Sequence, residues 1–154
     1  MTAADLAQLC PALAGLPPRC LEGIIECATP YQFRAGQTLF REGDEADKFF
    51  ILRNGRIDLE ISAPTGGSMS VQSVRGGEIL GWSWLFPPFR WHFDGRSVEN
   101  GEGLSVDAAC LKATFETDPD LGYHLMTRFA RVLMQRLQAT RRQLLDVSGR
   151  VSDN

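Results

Sequence analysis

The sequence predicts a mainly β domain with flanking helices, and two observations support this fold class. Glycines interrupt short apolar runs throughout residues 31–107, at intervals typical of the turns of an antiparallel barrel or sandwich. Within that stretch Ile57, Leu59 and Ile61 alternate with charged residues, which indicates a strand with one buried face. Helical periodicity replaces this pattern at both ends of the chain.

Length and composition favour one compact domain. The chain has 154 residues, of which 44% are hydrophobic and 23% charged. Leucines and isoleucines at three- and four-residue spacing predict short helices before the β region, and the proline-free stretch after Pro119 predicts a long helix. We therefore expect a single domain over 1–154, with N-terminal helices in 1–30, the β core in 31–107 and C-terminal helices in 108–147.

Charge and motifs argue against several classes of protein. The net charge of -3 gives no positive field for phosphate backbones, so we expect no direct nucleic acid binding by this chain. No apolar run approaches the roughly 20 residues of a spanning helix, and the first residues lack the basic start of a secretory signal. We therefore predict a cytoplasmic protein with no membrane partner. The sequence carries no nucleophile elbow, phosphate loop or metal-ligand cluster, so we predict no enzyme, no metal and no cofactor.

The cysteines show no spacing that indicates a metal site. Neither a C-x-x-C pair nor a zinc pattern occurs among the four cysteines, Cys10, Cys20, Cys27 and Cys110. Cysteine is among the most frequently buried residue types and packs as a small apolar side chain. We expect all four to do so here.

The long helix carries an apolar seam. Two sets of residues alternate at steps of four and three over about three heptads: Met126, Leu133, Thr140 and Val147, and Ala130, Leu137 and Leu144. This is the pattern of a coiled coil with one polar member. We expect the first half of the helix to pack on its own domain, but so small a β core cannot cover the whole helix. The seam therefore predicts a parallel homodimer.

The β region also resembles a known family. The segment FRAGQTLFREGDEADKFFILRNGRIDL, residues 33–59, is similar to the cyclic nucleotide-binding domain, and the glycines that fall at its tight turns are Gly36, Gly43 and Gly55. The resemblance implies a β-roll, a jelly-roll-like double-stranded β-helix. The segments RLQAT (136–140) and LDVSGR (145–150) resemble the dimer helix and hinge of the catabolite activator (CRP/FNR) regulators. Those regulators continue into a helix-turn-helix domain, and no residues after Asn154 could build one here, so we expect a sensor without a DNA reader.

The resemblance implies a phosphate-binding cassette between a Phe-Gly-Glu segment and an arginine. Backbone N–H groups and the arginine hold the cyclic phosphate of the ligand, cyclic AMP or cyclic GMP, and the glutamate holds its ribose. The matching stretch here is GGEILGWSWLFPPFRW, residues 76–91. Arg90 is the predicted phosphate arginine, with Arg96 in reserve, and Thr140 matches a helix position that reaches the purine. The predicted ligand-binding residues are Gly81, Trp82, Ser83, Trp84, Arg90, Trp91 and Thr140.

One substitution in the cassette leaves two functions open. Trp82 stands where the glutamate belongs, and an indole donates a hydrogen bond but accepts none. The aromatic residues around Arg90 either stack an atypical anionic ligand or fill the pocket themselves. The first interpretation predicts a small-molecule sensor that signals through its C-terminal helix. The second predicts a ligand-free scaffold in which Trp82 plugs the pocket and the surface binds another protein.

Overall fold

The computed structural model describes residues 1–152, with side chains as far as Asp146. Four α-helices flank the β core: α1 (Ala3–Leu9), α2 (Pro18–Glu26), α3 (Ala108–Thr117) and α4 (Pro119–Ser152). Two short 3-10 turns lie at Pro11–Leu13 and Ser83–Leu85. None of these helices is long and apolar enough to cross a membrane.

The β core has eight strands in two antiparallel sheets. The strands are β1 (Ala28–Phe33), β2 (Thr38–Phe40), β3 (Lys48–Leu52), β4 (Arg56–Ser62), β5 (Ser68–Arg75), β6 (Ile79–Leu80), β7 (Asp94–Ser97) and β8 (Gly101–Asp107). One sheet has the order β1-β8-β3-β6 and the other β2-β7-β4-β5. The first strand begins three residues before the expected start of the β core at residue 31. This arrangement confirms the predicted mainly β fold with flanking helices.

The period-two alternation of the strands divides the interior into two clusters. On β3, Phe49 belongs to a cluster shared with the helices and Phe50 to a cluster between the two sheets. On β6, Ile79 and Leu80 separate in the same way. Successive side chains of a strand point to opposite faces, so one sheet supports both clusters. We call the first the helical cluster and the second the roll cluster.

Two of the cysteines are paired, which corrects the expectation from the sequence. Cys27 follows α2 and Cys110 lies in the first turn of α3, and their Sγ atoms form a disulfide at 2.11 Å. The partners are 83 residues apart, so no local spacing could have indicated the bond. Cys10 and Cys20 are buried free thiols, as expected. Burial raises the pKa of the Cys10 thiol to about 11, so it stays protonated at neutral pH.

Helix α4 begins at Pro119, where the sequence predicted, and only its first half packs on the domain. Residues spaced three or four apart, Leu121, Leu125, Phe129 and Val132, are buried in the helical cluster. Every residue of the segment 137–146 is exposed. We call this segment the overhang. At 1.5 Å per residue it extends about 15 Å beyond the packed part of the helix.

Candidate functional site

The cassette, residues 76–91, leaves the sheet at β6 and crosses between the two clusters. Gly81 follows β6 with a φ of +106°, and a 3-10 turn over Ser83–Leu85 comes next. After a cis peptide bond between Pro87 and Pro88, the backbone of Arg90 pairs with that of Glu45. The cassette therefore turns back towards the loop between β2 and β3.

The three tryptophans of the cassette have three different surroundings. Trp84 is fully buried in the helical cluster, with its ring centroid 5.3 Å from that of Phe49. Trp91 is buried in the roll cluster and stacks on Phe40 at a centroid distance of 3.7 Å. Trp82 is half-buried and faces α4. The structure therefore does not bring these indoles together as one box around Arg90.

Trp91 lies directly against the glycine of the cassette. A Cβ atom built on Gly81 would lie 2.7 Å from the Trp91 ring, closer than real side chains approach. The positive φ of Gly81 also favours glycine there. A cavity of about 130 Å³ remains beside Trp91, lined in part by Phe40 and Phe50. We call it the roll cavity, and it is below the roughly 300 Å³ at which ligand sites begin.

Trp82 joins the cassette to α4. The guanidinium carbon of Arg136 lies 4.8 Å from the centre of its ring, within the range of a cation–π contact. On another side, Phe93 meets the Trp82 ring edge-to-face at 6.0 Å. The ring beside Gly81 is thus Trp91, whereas the sequence suggested Trp82 as the residue that fills the pocket.

The two candidate phosphate arginines differ in what they already bind. Arg96, on β7, is held by the buried carboxylate of Glu60, with 2.7 Å between its Nε and a Glu60 oxygen. Arg90 is exposed and donates one hydrogen bond of 3.2 Å to the Gly43 carbonyl. In the part of the chain that the structure describes, Arg90 has no carboxylate partner. It is therefore the better placed of the two to bind an anion.

Two other predicted residues, Ser83 and Thr140, differ in their exposure. Ser83 is buried in the 3-10 turn of the cassette. Thr140 is exposed on the overhang, where its hydroxyl donates to the carbonyl of Arg136 on the same helix, at 3.0 Å. Its place on the overhang leaves Thr140 open to a second chain.

Arg136 belongs to the site but is not among the residues predicted from the sequence. Its Nη2 donates to the carbonyl of Ile79, while its Nη1 is buried without a partner among the described residues. Burial lowers the pKa of the Arg136 guanidinium below its ordinary value. The signal was present, because 136 continues the three- and four-residue steps of Phe129 and Val132 on the face that packs inwards.

Comparison with known proteins agrees with this architecture. The sequence matches the cyclic nucleotide-binding domain over residues 30–118. The chain belongs to this family. The family is a regulatory domain, not a catalytic one. A CRP-like cAMP-activated global transcriptional regulator of Mycobacterium tuberculosis is 24% identical over 143 residues, which are 90% of this chain and 62% of that protein.

Two proteins named for cyclic nucleotide binding are among the solved structures that share the fold. A putative cyclic nucleotide-binding protein from Geobacter metallireducens is 26% identical with a TM-score of 0.78, and the match covers 89% of this chain and 98% of that one. A cyclic nucleotide-binding domain from Methylobacillus flagellatus has a TM-score of 0.82 at 14% identity, over 94% and 84% of the two chains. The chain thus spans less than two thirds of the curated regulator but nearly all of the Geobacter protein.

Proposed function

We propose that this domain is a small-molecule sensor in which an anionic ligand at the cassette acts on α4. The contact between Trp82 and Arg136 carries this proposal, because it is a direct link from the cassette to the helix. Arg90 supplies an exposed positive charge on the same cassette. Cyclic AMP and cyclic GMP are the first ligands to test, since the family is named for cyclic nucleotides.

Ligand binding changes α4 only if the ligand favours one position of the helix over another. An anion that draws Arg90 and the cassette inwards would shift Trp82, and the Arg136 guanidinium rests on that ring. Arg136 also donates to the Ile79 carbonyl, so a move of β6 reaches the same side chain. Two contacts thus couple the cassette and the helix through one guanidinium.

We propose that the signal is read in a homodimer formed through α4. The helix exposes an apolar face whose largest members are Met134, Leu137, Leu144 and Leu145, between 53% and 67% exposed. Heptad spacing places Leu137 and Leu144 on one seam. The buried side of the helix, at Phe129 and Val132, faces the domain instead.

A thermal-shift titration tests ligand binding. Wild type is titrated with cyclic AMP, cyclic GMP and a cyclic dinucleotide, beside Arg90→Ala and the control Arg34→Ala, which removes an exposed arginine at the end of β1. At a hundredfold excess over Kd, a ligand adds about 2.7 kcal/mol, which raises Tm by several degrees. The sensor proposal requires a shift that Arg90→Ala abolishes and Arg34→Ala retains. No shift with any of the three would overturn it for these ligands.

Sedimentation equilibrium tests the dimer. Leu137→Glu places a charge on the exposed apolar face, whereas Gln143→Glu adds the same charge to the overhang on another side of the helix. We expect wild type and Gln143→Glu to sediment as dimers and Leu137→Glu as a monomer. A monomeric wild type, or an unaffected Leu137→Glu, would contradict the proposed interface.

The filled roll cluster favours a second candidate, a ligand-free scaffold that binds another protein. Trp91 packs against Gly81 and Phe40, in the space beside the cassette glycine. In this case the dimer forms but no cyclic nucleotide shifts Tm. The two experiments together therefore separate the sensor from the scaffold.

A further inference from the structure

An open groove borders the helices where α4 meets the β core. It lies between the first 3-10 turn, the turn from β5 to β6 and α4, and has a volume of about 550 Å³. Its apolar wall includes Pro11, Ile79 and Val132. Among the described residues, the groove has no lining residue in common with the roll cavity. We call it the arginine groove.

Positive charge dominates the arginine groove. Arg128, Arg131 and Arg136 line it from α4, and Glu78 is its one acidic residue among those described. The groove therefore has two excess positive charges, although the chain as a whole is negative. Such a concentration in a concave site attracts anions.

The three guanidinium groups differ in how far they are already used. Arg128 donates from Nη1 to the carbonyls of Ala12 and Ala14, at 3.3 and 2.6 Å, which holds the first 3-10 turn on α4. Arg136 has a buried Nη1 with no partner among the described residues. Arg131 is exposed and, in the same part of the chain, forms no ion pair. The groove thus combines a fixed arginine with two that have unused donors.

We propose that the arginine groove binds a phosphate monoester of a small organic molecule. A phosphate monoester carries a charge of about -1.5 to -2 near pH 7, which matches the two excess charges. Guanidinium groups bind such oxyanions with pairs of parallel hydrogen bonds. Pro11, Ile79 and Val132 provide apolar surface for the organic part, and about 550 Å³ is within the range of small-molecule sites. This site is separate from Arg90 and does not depend on the proposed function.

The position of the groove connects it to α4. Gln135 and Ala139 line it, whereas Met134 and Leu137 are large exposed residues of the apolar face. At 3.6 residues per turn, the groove residues and the residues of the apolar face project from opposite sides of the helix. A ligand in the groove therefore contacts the side of α4 that faces away from the proposed dimer seam, and can bind while the dimer is intact.

Isothermal titration calorimetry with phenyl phosphate, inorganic phosphate and benzoate tests the proposal. Phenyl phosphate combines the dianion with an apolar body, and each of the other probes lacks one of these features. We expect phenyl phosphate to bind at least tenfold more tightly than either. Equal binding of benzoate would overturn the assignment to a phosphate ester, and equal binding of inorganic phosphate would overturn the role of the apolar wall.

Variants locate the binding. Arg131→Gln removes an exposed charge, and Gln72→Glu places a negative charge on the opposite wall with little change of shape. We expect each to weaken phenyl phosphate binding about tenfold or more, as the loss of a charge-assisted hydrogen bond does. Arg141→Gln, on the exposed overhang of the same helix, is the matched control and should bind as wild type does.

The outcomes separate this proposal from the sensor proposal. Phenyl phosphate binding that survives Arg90→Ala but not Arg131→Gln supports the groove, whether or not a cyclic nucleotide binds. Absence of phenyl phosphate binding, or equal binding by Arg131→Gln, Gln72→Glu and wild type, would overturn it. A Tm shift that a cyclic nucleotide causes and that only Arg90→Ala abolishes reports on the cassette. It does not affect the conclusion drawn from phenyl phosphate binding in the groove.

Discussion

The roll cavity and the arginine groove share no lining residue among those described, and they differ in volume and in the side chains that line them. The roll cavity is about 130 Å³ and adjoins stacked aromatic rings, with Trp91 against Gly81. The arginine groove is about 550 Å³ and is lined by three guanidinium groups. The cyclic nucleotide-binding fold is retained while the space beside its cassette glycine is filled. Family membership therefore identifies the architecture, but the side chains decide where space for a ligand remains.

The difference also concerns how each region is held together. The roll cluster is closed by apolar contact between rings, such as the stack of Phe40 on Trp91. The arginine groove is bordered by hydrogen bonds from guanidinium groups to backbone carbonyls, as between Arg128 and Ala14. We expect substitutions in the roll cluster to lower the free energy of unfolding strongly, and substitutions in the arginine groove to lower it less.

Trp91→Ala gives the largest expected effect. Removal of a buried tryptophan side chain costs about 3 to 5 kcal/mol, because the contacts with Phe40 and Gly81 are lost and a cavity remains. Urea denaturation measures the change in the free energy of unfolding. Trp82→Ala is the control and should cost clearly less, since Trp82 is only half-buried. Equal losses would contradict the view that Trp91 closes the roll.

Loss of the disulfide comes next. Replacing both Cys27 and Cys110 by serine should lower the free energy of unfolding by about 2 to 4 kcal/mol, because an 83-residue separation is no longer closed by a cross-link. The same denaturation measurement with and without a reducing agent checks this. Wild type should lose stability on reduction and the double variant should not respond. A wild type that is indifferent to reduction would show that the bond contributes little.

Gly81→Ala separates ring contact from backbone strain. The new methyl group would meet the Trp91 ring at 2.7 Å, in a backbone conformation unfavourable to alanine. We expect a loss of about 2 to 3 kcal/mol, where crowding adds to strain. Gly36→Ala is a matched control, since its φ is +85° and its new Cβ atom would meet nothing within 4 Å. Equal losses in thermal denaturation would exclude a contribution from Trp91.

Arg136→Met gives the smallest expected effect. Arg136 donates to one carbonyl, that of Ile79, but its buried Nη1 has no partner among the described residues. An apolar side chain of similar length can therefore replace it at a cost within about 1 kcal/mol. Arg128→Met should cost more, because both carbonyls of the first 3-10 turn lose their donor. Chemical denaturation of the two variants side by side tests this order, and the reverse order would contradict it.

The fold was predictable because its signals are local. Alternation along Ile57, Leu59 and Ile61 predicts a strand, and β4 contains all three. The expected single buried face is wrong, because the charged Asp58 and Glu60 are buried as well and Ile61 is exposed. Pro119 begins α4 as expected. The destinations of the tryptophans were not predictable, because Trp82, Trp84 and Trp91 lie in a loop without periodicity. The path of that loop determines that Trp84 lies in the helical cluster, Trp91 in the roll cluster and Trp82 against α4.

The missed features have other physical causes. The bond between Cys27 and Cys110 depends on how α2 and α3 meet, and no spacing in the sequence encodes that distance. Arg136 begins the segment RLQAT, which resembles a dimer helix, but its spacing from Val132 places it on the inward face of α4. Helical periodicity could have placed Arg136 on the inward face, but only the tertiary structure shows that Cys27 and Cys110 meet.

The overhang of α4 has a consequence for spectroscopy. An isolated helix of about ten residues is marginal in water, so this segment depends for its helicity on the packed turns before it and on any surface that covers it. Because its apolar side chains are exposed in the single chain, association and helix content should rise together. Far-ultraviolet circular dichroism, followed as the protein is diluted, would then register the contact between chains without a label.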